Sequence, residues 1–163
     1  MKRSSVLCAA LLLSAFLAAP HSAGADQTIA IATAGAGGTY PPGTSFGGVT
    51  VNGLQSGFGV EINLEGSGLG QFSAVLLGTS GLGLEQDIRI EGEVTSASRP
   101  APNIAVLTGT ATIDLGDGLP AAELVPFTAT VTTDANGQGT IGLVTGLAGL
   151  PAATINAGTI TVN

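Results

Sequence analysis

Tryptophan is absent from the 163 residues, and tyrosine, cysteine, histidine and lysine occur once each, as Tyr40, Cys8, His21 and Lys2. Where these residues lie matters more than how few they are. Met1-Lys2-Arg3 is a charged start, residues 6–19 are an apolar run, and Ala23-Gly24-Ala25 is a small-x-small cleavage site. The segment 1–25 therefore reads as a cleavable signal-peptide helix, with the exported chain starting at Asp26. Its apolar run is shorter than the ~20 residues a spanning helix needs, and no second such run follows, so no integral membrane segment is expected.

Cleavage would remove Lys2, Cys8 and His21 together, and this excludes several chemistries. Without histidine, cysteine or lysine no serine has an ordinary base partner, which rules out the familiar nucleophilic hydrolases. A zinc site fails on the same ground, because imidazole and thiolate are its usual ligands. The exported chain keeps only Arg89 and Arg99 against eleven acidic residues, a net charge of −9. A chain so acidic has no basic patch with which to displace counterions, so nucleic acid is excluded as a partner.

Residues 26–163 suit a single domain with a real hydrophobic core. Period-2 alternation is the dominant signal in it. In residues 86–95, Ile88, Ile90 and Val94 alternate with Asp87, Arg89, Glu91 and Glu93; Val60, Ile62 and Leu64 alternate in the same way with Glu61, Asn63 and Glu65. Strands are predicted near 28–33, 48–54, 58–65, 72–78, 86–95, 104–115, 126–133, 139–146 and 154–162, the last with a break. Turn-forming clusters separate them, and residues 98–102 (SRPAP) read as a long surface loop. Tyr40-Pro41-Pro42 reads as a stiffener of the connection after the first strand, with exposed ligand recognition as the lesser alternative. No helical stripe is present outside the leader.

The fold class expected is all-β: an antiparallel β-sandwich, Ig-like or jelly-roll, with a core of Val, Ile, Leu and Ala. Two closely packed sheets suit such small side chains better than a wide ligand-holding barrel. The first strand is followed by GAGGTYPPGT, a glycine-rich stretch read as a loose tether, which would let that strand pair with its own sheet or with a neighbour's edge.

Chemistry is sparse. Asp134 and Asn136, in TTDANGQG, and Asp114 and Asp117, in IDLGDGLP, have oxygen spacings that suit a weak cation site. Calcium is the cation such loops would take, and the two loops would share it if their ends of the sheet coincide. An EF-type loop counted from Asp134 lacks its acidic twelfth ligand, since Thr145 stands there, and Asn136-Gly137 is also the favoured pair of a tight hairpin with positive φ at both central positions. No other cofactor is expected. A carboxylate pair for glycoside cleavage could be drawn from Glu61, Glu65, Glu85, Glu91, Glu93, Asp114, Asp117 and Glu123, but these read as a solvated exterior, and no aromatic platform for sugar stacking accompanies them. Threonine recurs at alternate positions, at 108, 110 and 112, at 128, 130 and 132, and at 159 and 161. These runs make uncharged hydroxyl ladders suited to an exposed sheet face.

The phrase TTDANGQGTIGLV, residues 132–144, resembles the hairpin of bacterial immunoglobulin-like domains in invasin- and intimin-type surface proteins. That resemblance implies an Ig-like sandwich of an extracellular structural kind. The sequence as a whole is read as a non-catalytic structural or interaction domain of the bacterial envelope or extracellular matrix, periplasmic or secreted, working through a sheet face or edge. Its expected partner is a protein or an envelope or matrix surface, with self-association as a further possibility. The alternative is a secreted small-ligand or calcium-binding module using the acidic loops.

Overall fold

The computed structural model describes residues 28–63 and 67–163; the signal-peptide reading of 1–25 and the placement of Leu64 and Glu65 lie outside them. Nine strands follow one another with no helix among the described residues: β1 (Thr28–Thr39), β2 (Ser45–Phe46), β3 (Val49–Asn63), β4 (Gly68–Thr79), β5 (Ile88–Ala101), β6 (Ile104–Asp114), β7 (Ala122–Thr133), β8 (Gly139–Thr145) and β9 (Ala153–Val162). The all-β, antiparallel expectation holds.

The expected division into two sheets does not hold. From β2 to β9 each strand is bonded to the next in sequence, and β1 pairs with both β9 and β3. Eight strands thus close into one ring, an up-and-down barrel, and β2 is a short arm paired to the start of β3. No strand crosses over to a distant neighbour, as the Greek-key connections of an Ig-like or jelly-roll sandwich require. We call the end where β1 starts the lower rim and the end where it finishes the upper rim.

A closed ring of eight strands has an interior just wide enough to be filled by side chains. The filling explains why so small-residued a chain can close. Phe58, Phe72 and Phe127, all buried, stack in series, with ring centroids 6.2 Å apart for the first pair and 5.2 Å for the second. Phe72 is on β4 and Phe127 on β7, three strands further round. They meet because the intervening strands place glycine on the inner face: a Cβ on Gly92 of β5 would lie 2.7 Å from Phe127 Cε1, and one on Gly109 of β6 would lie 3.1 Å from the same atom. Around this stack pack inward residues such as Leu54, Leu76, Ile90, Leu107, Val131 and Ile141, while the alternate residues face out. This polarity is the reverse of a transmembrane barrel, which turns its apolar side chains to lipid. No helix among the described residues is long and apolar enough to cross a membrane.

Several segments differ from expectation for one reason: pairing on both sides overrides local composition. Residues 35–39, read as part of a loose tether, belong to β1 and are held between β3 and β9. Gly38 is required there by close approach, since a Cβ would meet Thr154 O at 2.6 Å. The two strands expected at 48–54 and 58–65 are one strand, β3, which runs through Gln55, Ser56 and Gly57. The expected surface loop at 98–102 is mostly the end of β5. The break expected in β9 is a register shift opposite Gly37 and Gly38.

One seam is narrow. β8 and β9 share only three register pairs, Gly139–Ile155, Thr140–Thr154 and Ile141–Ala153. Above it, residues 148–150 fold back onto β8, through Leu150 N–H to Leu143 O at 2.8 Å and Thr145 N–H to Ala148 O at 2.8 Å. Below it, the β7–β8 turn takes the place of β8, with Ile160 N–H donating to Gly137 O at 2.8 Å.

The upper rim is closed by the arm around β2. Phe46 and Tyr40 are buried there while Pro41 and Pro42 are exposed, so the Tyr40 side chain is not presented for the exposed-recognition alternative. The Tyr40 hydroxyl has no partner among the described residues, and burial pushes its phenol well above the usual tyrosine range.

Two outcomes follow. Gly92→Ala should destabilise the chain by about 1–3 kcal/mol through overpacking against Phe127, and Phe127→Leu should relieve part of that cost, so a double-mutant cycle by urea denaturation should show positive coupling. Tyr40→Phe should leave stability unchanged or raise it by up to ~1 kcal/mol, because it removes an unpaired buried hydroxyl; a clear fall in melting temperature would mean that the hydroxyl has a partner.

Candidate functional surfaces

The acidic loops form turns at opposite rims. In an antiparallel meander the β6–β7 connection is at the upper rim and the β7–β8 connection at the lower. The twelve residues of β7 separate them, roughly 40 Å at ~3.3 Å per residue. Asp114 and Asp117 therefore cannot share one cation with Asp134 and Asn136.

Each aspartate has a local structural task. Asp114 Oδ1 accepts from Gly116 N–H at 2.9 Å, and Asp117 Oδ1 accepts from Leu119 N–H at 2.9 Å. Asp134 Oδ1 accepts two backbone amides, from Asn136 at 2.8 Å and Gln138 at 3.0 Å. These are the side-chain-to-backbone bonds that make aspartate a turn residue. The hairpin expected at Asn136-Gly137 is present, but with positive φ at Gly137 alone. Its backbone bonds are Gly137 N–H to Asp134 O at 3.1 Å and Asp134 N–H to Gln138 O at 2.7 Å. The turn also seals the narrow seam. Besides the Gly137–Ile160 bond, Thr133 Oγ1 donates to Ile160 O at 3.1 Å and Gln138 Nε2 to Gly158 O at 3.4 Å. Among the described residues no three carboxylate, imidazole or thiol groups are grouped to hold a metal ion.

The carboxylates named for glycoside chemistry are dispersed. Glu61 is outward on β3, Glu91 and Glu93 are outward on β5, and Glu85, Asp114, Asp117 and Glu123 belong to the upper rim or its approaches. Glu91 and Glu93 do border an open depression of about 320 Å³ on the outer wall, together with Gln71, Thr110, Thr112 and Leu124. It is built by register, which sets Gln71 and Thr110 on either side of Glu93, and Thr112 beside Glu91.

Leu124 is the one non-glycine residue with positive φ among the described residues, at 54°. It belongs to a bulge, because the register of β6 with β7 slips between Ala111 and Ile113, setting Glu123 and Leu124 together opposite the single residue Thr112. The β7–β8 ladder starts only at Phe127, so this part of β7 has no β8 neighbour. A bulge and a proline, Pro126, at such a place are known means of blunting a free edge. Nothing in the sequence pattern marked Leu124.

The outer wall is strongly divided by charge. Arg89, Glu91 and Glu93 point outward from β5, whereas β8, β9, β1 and residues 126–133 of β7 contain no charged residue at all. On this uncharged wall, register aligns four threonines across four strands: Thr132 pairs with Thr140, Thr140 with Thr154, and Thr154 with Thr39. The Thr132 and Thr140 hydroxyls are hydrogen-bonded at 2.8 Å. The sequence showed hydroxyls alternating along single strands; this row across strands needs the pairing register, and Thr39, Thr140 and Thr154 were outside every ladder read from the sequence.

Comparison of the chain with protein-family models, with curated proteins and with solved structures finds no match.

Asp134→Ala should lower stability by about 1–2 kcal/mol, since two amides lose their acceptor at a turn that also secures β9. Asp134→Asn, which keeps an acceptor oxygen, should recover most of the loss in the same denaturation assay.

Proposed function

We propose that this chain is an exported, non-catalytic interaction domain of the bacterial envelope or extracellular matrix, and that its working face is the uncharged threonine wall of β7, β8, β9 and β1. The segment 1–25 supplies the export reading. The phrase 132–144, shared in kind with surface proteins of the immunoglobulin-like class, supports the extracellular setting, though not that fold's topology. The observation that carries the proposal is the charge segregation: a chain with a net charge of −9 after cleavage keeps three neighbouring strands, β8, β9 and β1, and the adjoining residues 126–133 of β7 free of charge. Envelope and matrix polymers are commonly acidic, and an acidic protein can approach one closely only through a face with no charge to repel. Threonine hydroxyls on that face donate and accept, so they can replace the water they lose.

A sheet face fits this role better than a sheet edge. Closure leaves little edge, since β1 is paired on both sides and barrels remove free edges. The test is co-sedimentation of residues 26–163 with an insoluble envelope fraction. Wild-type protein should be retained, T130E/T161E should lose most of that retention, and E91Q/E93Q on the opposite wall should not. Equal retention of T130E/T161E, or none of the wild type, would overturn the reading. A calcium-dependent rise in melting temperature would favour the cation-binding alternative instead.

A further inference from the structure

The upper rim differs from the wall. Among the described residues seven large apolar side chains are exposed, and all but Leu69 are on the upper-rim loops or the strand ends beneath them. Leu82 (88% exposed) and Leu84 (66%) are in the β4–β5 loop, Leu119 (69%) in the β6–β7 loop and Leu147 (53%) in the β8–β9 loop. The first two loops are tied together, since Gln86 Nε2 donates to Leu115 O at 2.8 Å. The core does not need these leucines, as one repeated phrase shows. Gly-Leu-Pro-Ala-Ala occurs at residues 118–122 and again at 149–153; in the second copy Leu150 is buried, whereas in the first Leu119 stands in solvent.

The backbone at two of the rim leucines, Leu84 and Leu119, is held in place. Leu84 N–H donates to Ser80 Oγ at 3.2 Å, and Ser80 N–H donates to Leu84 O at 2.8 Å. Leu119 N–H donates to Asp117 Oδ1, so one turn presents a leucine and a carboxylate side by side. Groups fixed in advance lose less freedom when a partner binds. The surroundings are acidic: Glu85, Asp87, Asp114, Asp117 and Glu123 lie on or next to these loops, with Arg89 as the one cation close by in sequence or register.

From this juxtaposition we infer that the upper rim is a docking surface for a basic, apolar-faced polypeptide segment of another protein. Leucines supply the buried area and the acidic collar selects the charge. The collar also decides against the other occupants of an apolar patch. A second copy meeting rim to rim would set one acidic collar against another, and an anionic lipid surface would be repelled in the same way. This surface is separate from the threonine wall and does not rest on the role proposed for it.

The test uses residues 26–163 with a fluorescent amphipathic helical peptide of leucine and lysine, followed by anisotropy at low and physiological salt. The comparison probes are the same peptide with glutamate for lysine, and vesicles of phosphatidylcholine with and without phosphatidylglycerol. The leucine–lysine peptide should bind, and both L82S/L84S/L119S and E85Q/E123Q should weaken it by at least about tenfold. T130E/T161E should leave that binding unchanged, which separates this result from any failure of the wall. Melting curves check that each variant is folded. Equal binding by the leucine-depleted variant would reduce the effect to charge attraction and overturn the inference. So would equal binding of the glutamate peptide, binding to vesicles alone, or rim-dependent self-association without the peptide.

Discussion

The structure depends on three phenylalanine rings meeting across the inside of a closed sheet. A ring of eight strands must be filled, and most inward residues here are no larger than leucine. Phe58, Phe72 and Phe127 span the interior only because Gly92 and Gly109 leave the inner surface of β5 and β6 bare beneath the last ring. Each glycine on its own weakens a strand. Under an aromatic side chain it becomes half of a contact, and the loss of Cβ packing is offset by ring-to-backbone and ring-to-ring packing.

Closure then determines which surfaces remain for function. With β1 bonded on both sides, backbone groups along most of the sheet are already used, and recognition falls to side chains on the walls and to loops at the rims. These two kinds of surface have different characters. The walls divide into a charged side on β5 and an uncharged, hydroxyl-bearing side from β7 round to β1. The upper rim concentrates exposed leucine and acid. One molecule thereby offers a flat face suited to extended polymer and a knobbed end suited to a polypeptide.

The strand content was legible because alternation is a local property. Ile88, Ile90 and Val94 against Arg89, Glu91 and Glu93 announce a half-buried strand whatever lies beside it. Sheet closure was not legible, because it depends on which distant strand β1 meets; GAGGT carries no alternation and resembles a tether until two partners hold it. The preference for two sheets came from the scarcity of aromatics, a count that cannot reveal that three of the four phenylalanines after residue 25 fall into one stack. At the surfaces, the Asp-containing loops were correctly seen as turn-formers, and their placement at opposite rims followed only from strand order. The four-threonine row and the strained Leu124 are both products of register, and register is set by pairing rather than by neighbours in sequence.

The seam between β8 and β9 gives the cylinder a preferred line of rupture. Elsewhere long ladders zip neighbouring strands together, but here three pairs are flanked above by a folded-back loop and below by a turn held to β9 through a few bonds. Thermal breathing should therefore start at this join, where the fewest ladder bonds must part at once. Amide protons there would exchange first, and a protease probing the closed molecule would gain entry along the same line, well before the aromatic centre is disturbed.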